Sequence, residues 1–421
     1  MTKISVALAT DQRGAIAILA AFCLPLMVGG LGLTAETGYW YLVQRKMQHA
    51  ADLAATAGVA RLRAGDGKAV IQAAALHVAE RSGFKASTKS TLALNMPPLS
   101  GTKKGDQSSV EVILTANQPR FMTRLFSSQD QNLQARAVAT LYWDGNSACV
   151  LALSRTADAA VNVAGSGSLS AYGCDVAANS NSTSAMKASV ITANCGYSVG
   201  GETVTDETKL SCGRVRTYSP ATRDPYANVP EPTLSGCEAS ISNIGTPGGT
   251  TNYNHPAGCS YSVFPNKAIF RGTVNLAPGL YYFADTFETL GGSTQATANI
   301  NLNGAGVTFF FGSNATISTT STTQFQLSAP TSGTYAGLVF FGTRSNTGNV
   351  HITGIAGSTI QGAVYFPSSK LTLLGISSTA LGCTQLIADT ITVSGNSTLR
   401  DNCATAGTRA IRTSEYVALS E

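Results

Sequence analysis

Three patterns of apolar and polar positions divide the 421-residue chain. The first is a run with no polar face at all. From Gly14 to Ala35 lie 22 residues, GAIAILAAFCLPLMVGGLGLTA, without a single charge. As a helix rising 1.5 Å per residue this run would extend about 33 Å, enough to cross a hydrocarbon core of ~30 Å. Pro25, Gly29, Gly30 and Gly32 weaken or kink such a helix but are tolerated in a spanning one. A cleaved secretory signal is the rival reading, with Lys3 and Arg13 before the run and Leu33-Thr34-Ala35 as a cleavage site. The run exceeds the roughly 7–15 apolar residues of a signal peptide, so the pattern favours a retained transmembrane helix over 14–35 after a cytoplasmic segment 1–13.

The second pattern is helical. Residues 36–64 are small or apolar all round, with Arg45, Lys46, His49 and Asp52 forming a polar patch. An Ala-rich helix continuing from the span can pack closely on a partner. Tyr39, Trp40 and Tyr41 fall where the span should meet water, the level at which amphipathic rings concentrate. A second helix is predicted over 67–81, ended by Ser82-Gly83. SSVEVILTA (108–116) alternates as a half-buried strand and is interrupted by Asn117-Gln118-Pro119; RFMTRLF reads as a short helix and QARAVATLY as a returning strand. The charges of 97–107 read as a solvated hairpin. Together, 36–143 is predicted to be a membrane-proximal helical, α+β domain.

The third pattern fills 144–413. Short apolar runs alternate with Gly, Ser, Thr and Asn, and a five-residue echo recurs: GLYYF at Gly279, GVTFF at Gly306, GLVFF at Gly337 and GAVYF at Gly362, 27, 31 and 25 residues apart. Units of this size, each too small to bury its own face, are what solenoids stack. Continuous runs such as Phe309–Phe311 also suit parallel strands buried on both faces. The predicted class is therefore a membrane-anchored α+β protein with a large mainly-β domain. A right-handed parallel β-helix is favoured, a β-sandwich is the alternative, and 414–421 is left as a C-terminal tail. RDPYANVPEP (223–232) reads first as a Pro-rich linker between two halves of the β region, and otherwise as a strap docked across it.

Composition narrows the role. Charged residues make up 12% of the chain against roughly 25% in ordinary soluble domains, and 42 residues are Gly. Up to Tyr142 there are 15 basic and 8 acidic residues (net +7); beyond it 13 and 15 (net −2). A basic N-terminal third suits a segment beside anionic head groups. No basic run carries interleaved aromatics, so nucleic acid is not an expected partner. Of nine cysteines, Cys23 lies in the apolar run. The other eight, Cys149, Cys174, Cys195, Cys212, Cys237, Cys259, Cys383 and Cys403, are disulfide candidates of an oxidising compartment. Cys149 with Cys174 and Cys383 with Cys403 have spacings near one solenoid turn, and Cys237 with Cys259 could staple a loop. The bulk of the chain is thus expected in the periplasm, behind a single pass of the inner membrane, with surface exposure an open alternative.

Chemistry is sparse. A glycosidase needs two carboxylates about 5–10 Å apart. The acids of the echo region are Asp285, Glu288, Asp389 and Asp401; Asp285 and Glu288 would face opposite sides of a strand. His255 sits in a turn and His351 opens a strand, both read as surface or rim residues. There is no H-E-x-x-H, Walker A or dinucleotide fingerprint. No catalytic residue, cofactor or metal site is expected, and a surface glycan remains a conceivable but unsupported ligand.

The segment RGAIAILAAFCLPLMVGGLGL followed by ETGYWYLVQRKMQHAADLAATAGVARL resembles the N-terminal signature of TadE/TadG-like Flp (Tad) pilus-assembly proteins: Arg-Gly-Ala, an apolar span, an acidic-x-Gly step, then Tyr, Arg and Leu-Gln-x-Ala-Ala-Asp-Ala-Ala. The matching positions are Arg13, Gly14, Glu36, Gly38, Tyr41, Arg45, Met47, Gln48, Ala50, Ala51 and Asp52. VEVILTANQPRFMTRLF with LQARAVATLY resembles the membrane-proximal part of the same family, and the remainder its long TadG-like members. Two departures stand out. The D-x-S-x-S metal motif of members with a von Willebrand A domain is absent, and the fifth position after Gly14 is Leu19 rather than the Glu that prepilin peptidase substrates carry. The resemblance implies a non-enzymatic envelope protein that supports pilus assembly, anchoring or surface adhesion, with other Tad assembly proteins or pilins and the lipid bilayer as partners. A minor pilin or tip adhesin within the filament, and a carbohydrate-active β-helix enzyme, are the alternatives.

Overall fold

The computed structural model describes residues 13–125, 127–207, 209–233, 236–290, 299–354, 357–374, 382–400, 403 and 405–421, with the side chains of the first helix from residue 18 onward. The chain divides into two compact units, Met1–Tyr142 with Glu415–Glu421, and Trp143–Ser414.

In the first unit the apolar run and the Ala-rich stretch are one uninterrupted helix, α1, Arg13–Arg63, with Pro25 inside it. Its two halves differ. Ile18, Leu19, Phe22, Leu24, Leu26, Met27, Val28 and Leu31 are exposed, whereas Met47, Ala50, Ala51, Ala54, Ala55 and Val59 are buried. Those buried positions recur at three- and four-residue steps, one face of a helix. The methyl-sized side chains let α1 lie close to α2 (Lys68–Arg81) and to a sheet of β1 (Ser90–Asn95), β2 (Ser109–Gln118) and β3 (Gln131–Trp143). Gly58 marks the closest approach, since a Cβ there would stand 3.1 Å from Val110 Cγ1. β1 and β3 both pair antiparallel with β2, with Leu92 opposite Leu114 and Leu114 opposite Ala135.

β2 runs to Gln118, past the interruption expected at Asn117, and stops where Pro119 has no amide to donate. The expected short helix is a single 3₁₀ turn, Thr123–Leu125. Residues 415–419 return to the sheet as its fourth strand, next to β3. The loop read as solvated is tied in: Ser100 donates to Glu111, the Thr102 and Lys103 amides to Glu421, and the Lys103 ammonium lies 5.1 Å from the Tyr142 ring.

The second unit is built of parallel ladders. One runs, strand beside strand, through Tyr261–Phe264, Gly279–Phe283, Val307–Phe311, Leu338–Gly342, Thr359–Leu374, Thr384–Arg400, Ser147–Ala152, Asp175–Ala178, Gly196–Ser198 and Val215–Arg216. Two further parallel ladders flank it, one starting at Asn243–Ile244 and one at Thr250–Tyr253. Among the described residues, the strand pairs of this unit are parallel except Ile411–Arg412 against Ser147–Ala152. A Greek-key sandwich needs antiparallel neighbours, so the pairing departs from that alternative. Aromatics of neighbouring strands stack: Phe264, Phe283 and Phe311 are in register, Phe340 is in register with Phe309, and Phe264, Phe283, Phe311 and Phe340 form a buried column with successive centroids 4.9, 5.3 and 6.0 Å apart and nearly parallel rings.

The order of the ladder is not the order of the chain. Thr384–Arg400 lies beside Ser147–Ala152, so the stack starts in the middle of the sequence, and Val215–Arg216 and Tyr261–Phe264 stand at its opposite ends. The described residues 217–233 and 236–242 must therefore run back along the stack. They do so as a docked strap rather than as the free linker preferred from sequence. Asn179 exchanges hydrogen bonds with Thr222, and Asp224 accepts from the Tyr365 hydroxyl at 2.8 Å. Tyr226 is fully buried, and Arg344 donates to the carbonyls of Tyr226, Ala227 and Val229 at 3.1, 2.8 and 2.9 Å. Glu231 accepts from Thr343 and Arg344, and Glu238 bridges to Val263. Four disulfides close this unit: Cys149–Cys174, Cys195–Cys212, Cys237–Cys259 and Cys383–Cys403.

Candidate functional site

The signature residues lie on α1, and the helix sorts them by direction. Glu36 is the one whose carboxylate turns inward at the end of the apolar half; it is 4% exposed. It accepts the amides of Phe121 and Thr123 at 2.7 Å each and the Thr123 hydroxyl at 3.0 Å, so a single side chain holds the segment between β2 and β3. Met122 of that segment lies against Gly32, where a Cβ would come within 2.8 Å of Met122 Cγ. A side chain at position 32 would displace that methionine. Gly38 differs, since a Cβ there would meet nothing within 4 Å.

One turn further on, Tyr41 and Arg45 form an exposed pair. Arg45 Nε donates to the Tyr41 hydroxyl at 2.9 Å, and its guanidinium carbon lies 5.3 Å from the ring centroid. Gln48 faces the sheet, donating to the Arg136 carbonyl at 2.9 Å and to Asp52 at 2.8 Å. Ala51 and its neighbours Met47 and Ala50 form the packed face. The side chain of Arg13 lies outside the described residues. Of the aromatic trio, Tyr39 and Tyr41 are exposed, while Trp40 is partly covered by the Arg120 guanidinium at 5.4 Å.

Behind this face, Arg136 on β3 ties two carboxylates. Its Nε donates to Glu111 at 2.7 Å and its Nη1 to Glu421 at 2.5 Å. Burial works to raise the Glu111 carboxyl, but donation from Asn95, Arg136, Leu99 and Ser100 outweighs it and leaves the group below its ordinary value. A groove of about 250 Å³ lies between α1 and the β1–β2 edge, lined by Val43, Met47, Phe84 and Ala116, with Lys46 and Lys85 as its ionisable groups. The arrangement packs, caps and cross-ties.

The acids and histidines weighed from sequence are dispersed. Glu288 pairs with Lys267 at 2.5 Å, and Asp285 accepts from its neighbour Thr286. Asp401 lies outside the described residues, and His351 is exposed. His255 is half-buried and held on both sides: Nδ1 meets Ser262 Oγ at 2.8 Å, Nε2 meets the Pro278 carbonyl at 3.0 Å, and the ring lies 4.8 Å from that of Tyr281. Burial lowers its pKa. Sequence reasoning passed over Asp175, buried in the second unit, and Asp224, half-buried beside Tyr365. Among the described residues no group of three or more His, Cys, Asp or Glu is placed to hold a metal ion.

Residues 14–61 match a family model described as putative Flp pilus-assembly TadE/G-like. No curated protein and no solved structure matches the chain. The matched segment is α1 almost end to end, and it includes Glu36, the Tyr41–Arg45 pair, Gln48, Asp52 and the alanine face.

Proposed function

We propose that this chain is a non-enzymatic, membrane-anchored component of a Tad/Flp pilus system that supports pilus assembly, anchoring or surface adhesion through packing surfaces. The observation that carries the reading is that the family segment is one continuous helix with two contrasting halves. The first half leaves its large apolar side chains bare, as a membrane span needs. The second half is docked by its alanines on a folded unit while keeping Tyr41, Leu42 and Arg45 outward for other pilus components.

A location with the bulk of the chain in the periplasm, behind a single pass of the inner membrane, is supported by the four disulfides, which belong to an oxidising compartment. The parallel ladders support a parallel β-helix for the second unit, right-handed as crossover connections almost always are. Its four disulfides and docked strap suit a rigid surface module.

Shearing pili from cells and probing the sheared filaments and the separated membranes for this chain tests the reading. Full-length protein in the inner membrane is the expected result. Recovery in the filaments, above all with a shortened N-terminus, would replace it with a minor pilin or tip adhesin.

A further inference from the structure

We propose that the segment Arg120–Leu125 is a second membrane-contacting element, an apolar wedge seated in the phospholipid bilayer beside the span. The proposal rests on reading the first half of α1 as that span. Three observations carry it.

The first is depth. Met122 packs against Gly32, which lies inside the uncharged run and four residues, or about 6 Å, before Glu36 along the helix. The wedge therefore reaches back to the level of the hydrocarbon-facing residues.

The second is exposure. Phe121, Met122 and Leu125 are 66, 54 and 87% exposed, and Met122 and Phe121 lie against Gly32 and Tyr39 of α1, beside its bare apolar side chains. A contiguous patch of this kind marks a binding surface, and its continuity with the span identifies bilayer as the occupant. Arg124, exposed on the same turn, can meet lipid phosphates, and Tyr39 lies edge-on to Phe121 with centroids 6.4 Å apart, as in the aromatic belt of an interface.

The third is backbone satisfaction. Irregular chain cannot approach hydrocarbon with unpaired amides. Here the amides of Phe121 and Thr123 are both taken by the Glu36 carboxylate, and those of Leu125 and Ser127 by the carbonyls of Met122 and Thr123.

Nitroxide depth measurement tests this on the full-length chain in phosphatidylethanolamine–phosphatidylglycerol vesicles. Cys23→Ser removes the free thiol, and the label is placed on Leu125→Cys or, for comparison, on Val28→Cys within the span. Leu125 is too exposed for its replacement to disturb folding. Both labels should collide more often with dissolved oxygen than with a water-soluble nickel chelate, Val28→Cys more strongly. A nickel-dominated label at position 125 with an oxygen-dominated one at 28 overturns the wedge and leaves the anchor standing. Nickel-dominated labels at both positions overturn the anchor and the wedge with it. A label at 125 shielded from both reagents means that protein, not lipid, covers the patch, and also overturns the proposal.

Discussion

Glu36 and Thr123 are 87 residues apart and joined twice: the Thr123 amide donates to one carboxylate oxygen at 2.7 Å and its hydroxyl to the other at 3.0 Å. The Phe121 amide completes the set at 2.7 Å. An ionised carboxylate is the side chain suited to this task, because it accepts at both oxygens and donates from neither.

Glu36→Gln keeps the shape but replaces one acceptor by a donor that would face an amide. The segment should then open more often, and trypsin should cut after Arg120 and Arg124 about tenfold faster in detergent, the effect of losing about one net hydrogen bond. Equal cleavage of the variant and the parent would show that Glu36 does not hold the segment.

That contact shows where the sequence is legible and where it is not. The apolar half of α1 and β2 declare themselves through local pattern, 22 uncharged residues in one and alternation broken only at Ile113 in the other. β1 does not, because among its six residues Leu94 alone is buried. Glu36 reads as an acidic-x-Gly step, and nothing nearby says that its partner lies beyond β2. The echoed Phe positions are visible because each ladder strand repeats the same buried face. The docking of 223–232 is hidden for a topological reason: Thr384–Arg400 lies beside Ser147–Ala152, so a segment that looks like a connector has to travel the length of the stack. Asp175 stands alone among small and apolar residues in the sequence, and only the fold buries it.

The strap depends on Arg344. Its guanidinium meets three strap carbonyls, those of Tyr226, Ala227 and Val229, and also pairs with Glu231 at 3.2 Å. Replacing it by Ala leaves those carbonyls without their donor, at a cost of about 3 kcal/mol. Arg344→Lys should recover little, since one shorter ammonium cannot serve both the strap carbonyls, which Nη2 meets, and Glu231, which Nη1 meets. The expected readouts are a lower unfolding midpoint and new proteolytic cleavage within 223–232 in both variants. Intact straps in both would mean that burial of Tyr226 holds the segment unaided.

The far end of the strap is fixed by Cys237–Cys259, which closes a separation of 22 residues. Loop-closure entropy assigns such a link about 3 kcal/mol. The Cys237→Ser, Cys259→Ser double variant should lose that much in denaturant unfolding. Because Glu238 bridges to Val263 beside the disulfide, the loss should appear first as faster hydrogen exchange around 259–264.

Acid should act on the two units with opposite sign. Asp175 is 1% exposed, and desolvation pushes its carboxyl up to about 6 from an ordinary 3.8, with the Asp144 charge adding to the shift and the Thr413 hydroxyl opposing it. Between those values the folded chain holds a proton that the unfolded chain has lost. Stability contributed at this site therefore falls as pH rises from 3.8 to 6, and lowering the pH from 7 to 5 should strengthen the second unit. Glu111 is shifted below its ordinary 4.5, so its contribution is present above 4.5 and lost only on further acidification. Hydrogen exchange followed at pH 7, 5 and 4 should show slower opening around Asp175–Ala178 at pH 5 than at pH 7, once rates are corrected for intrinsic exchange. Opening of β2 should be unchanged between pH 7 and 5 and faster at pH 4. In Asp175→Asn the amide cannot ionise, so opening around Asp175–Ala178 should lose its dependence on pH between 7 and 5. A variant that kept that dependence would place the titrating group elsewhere.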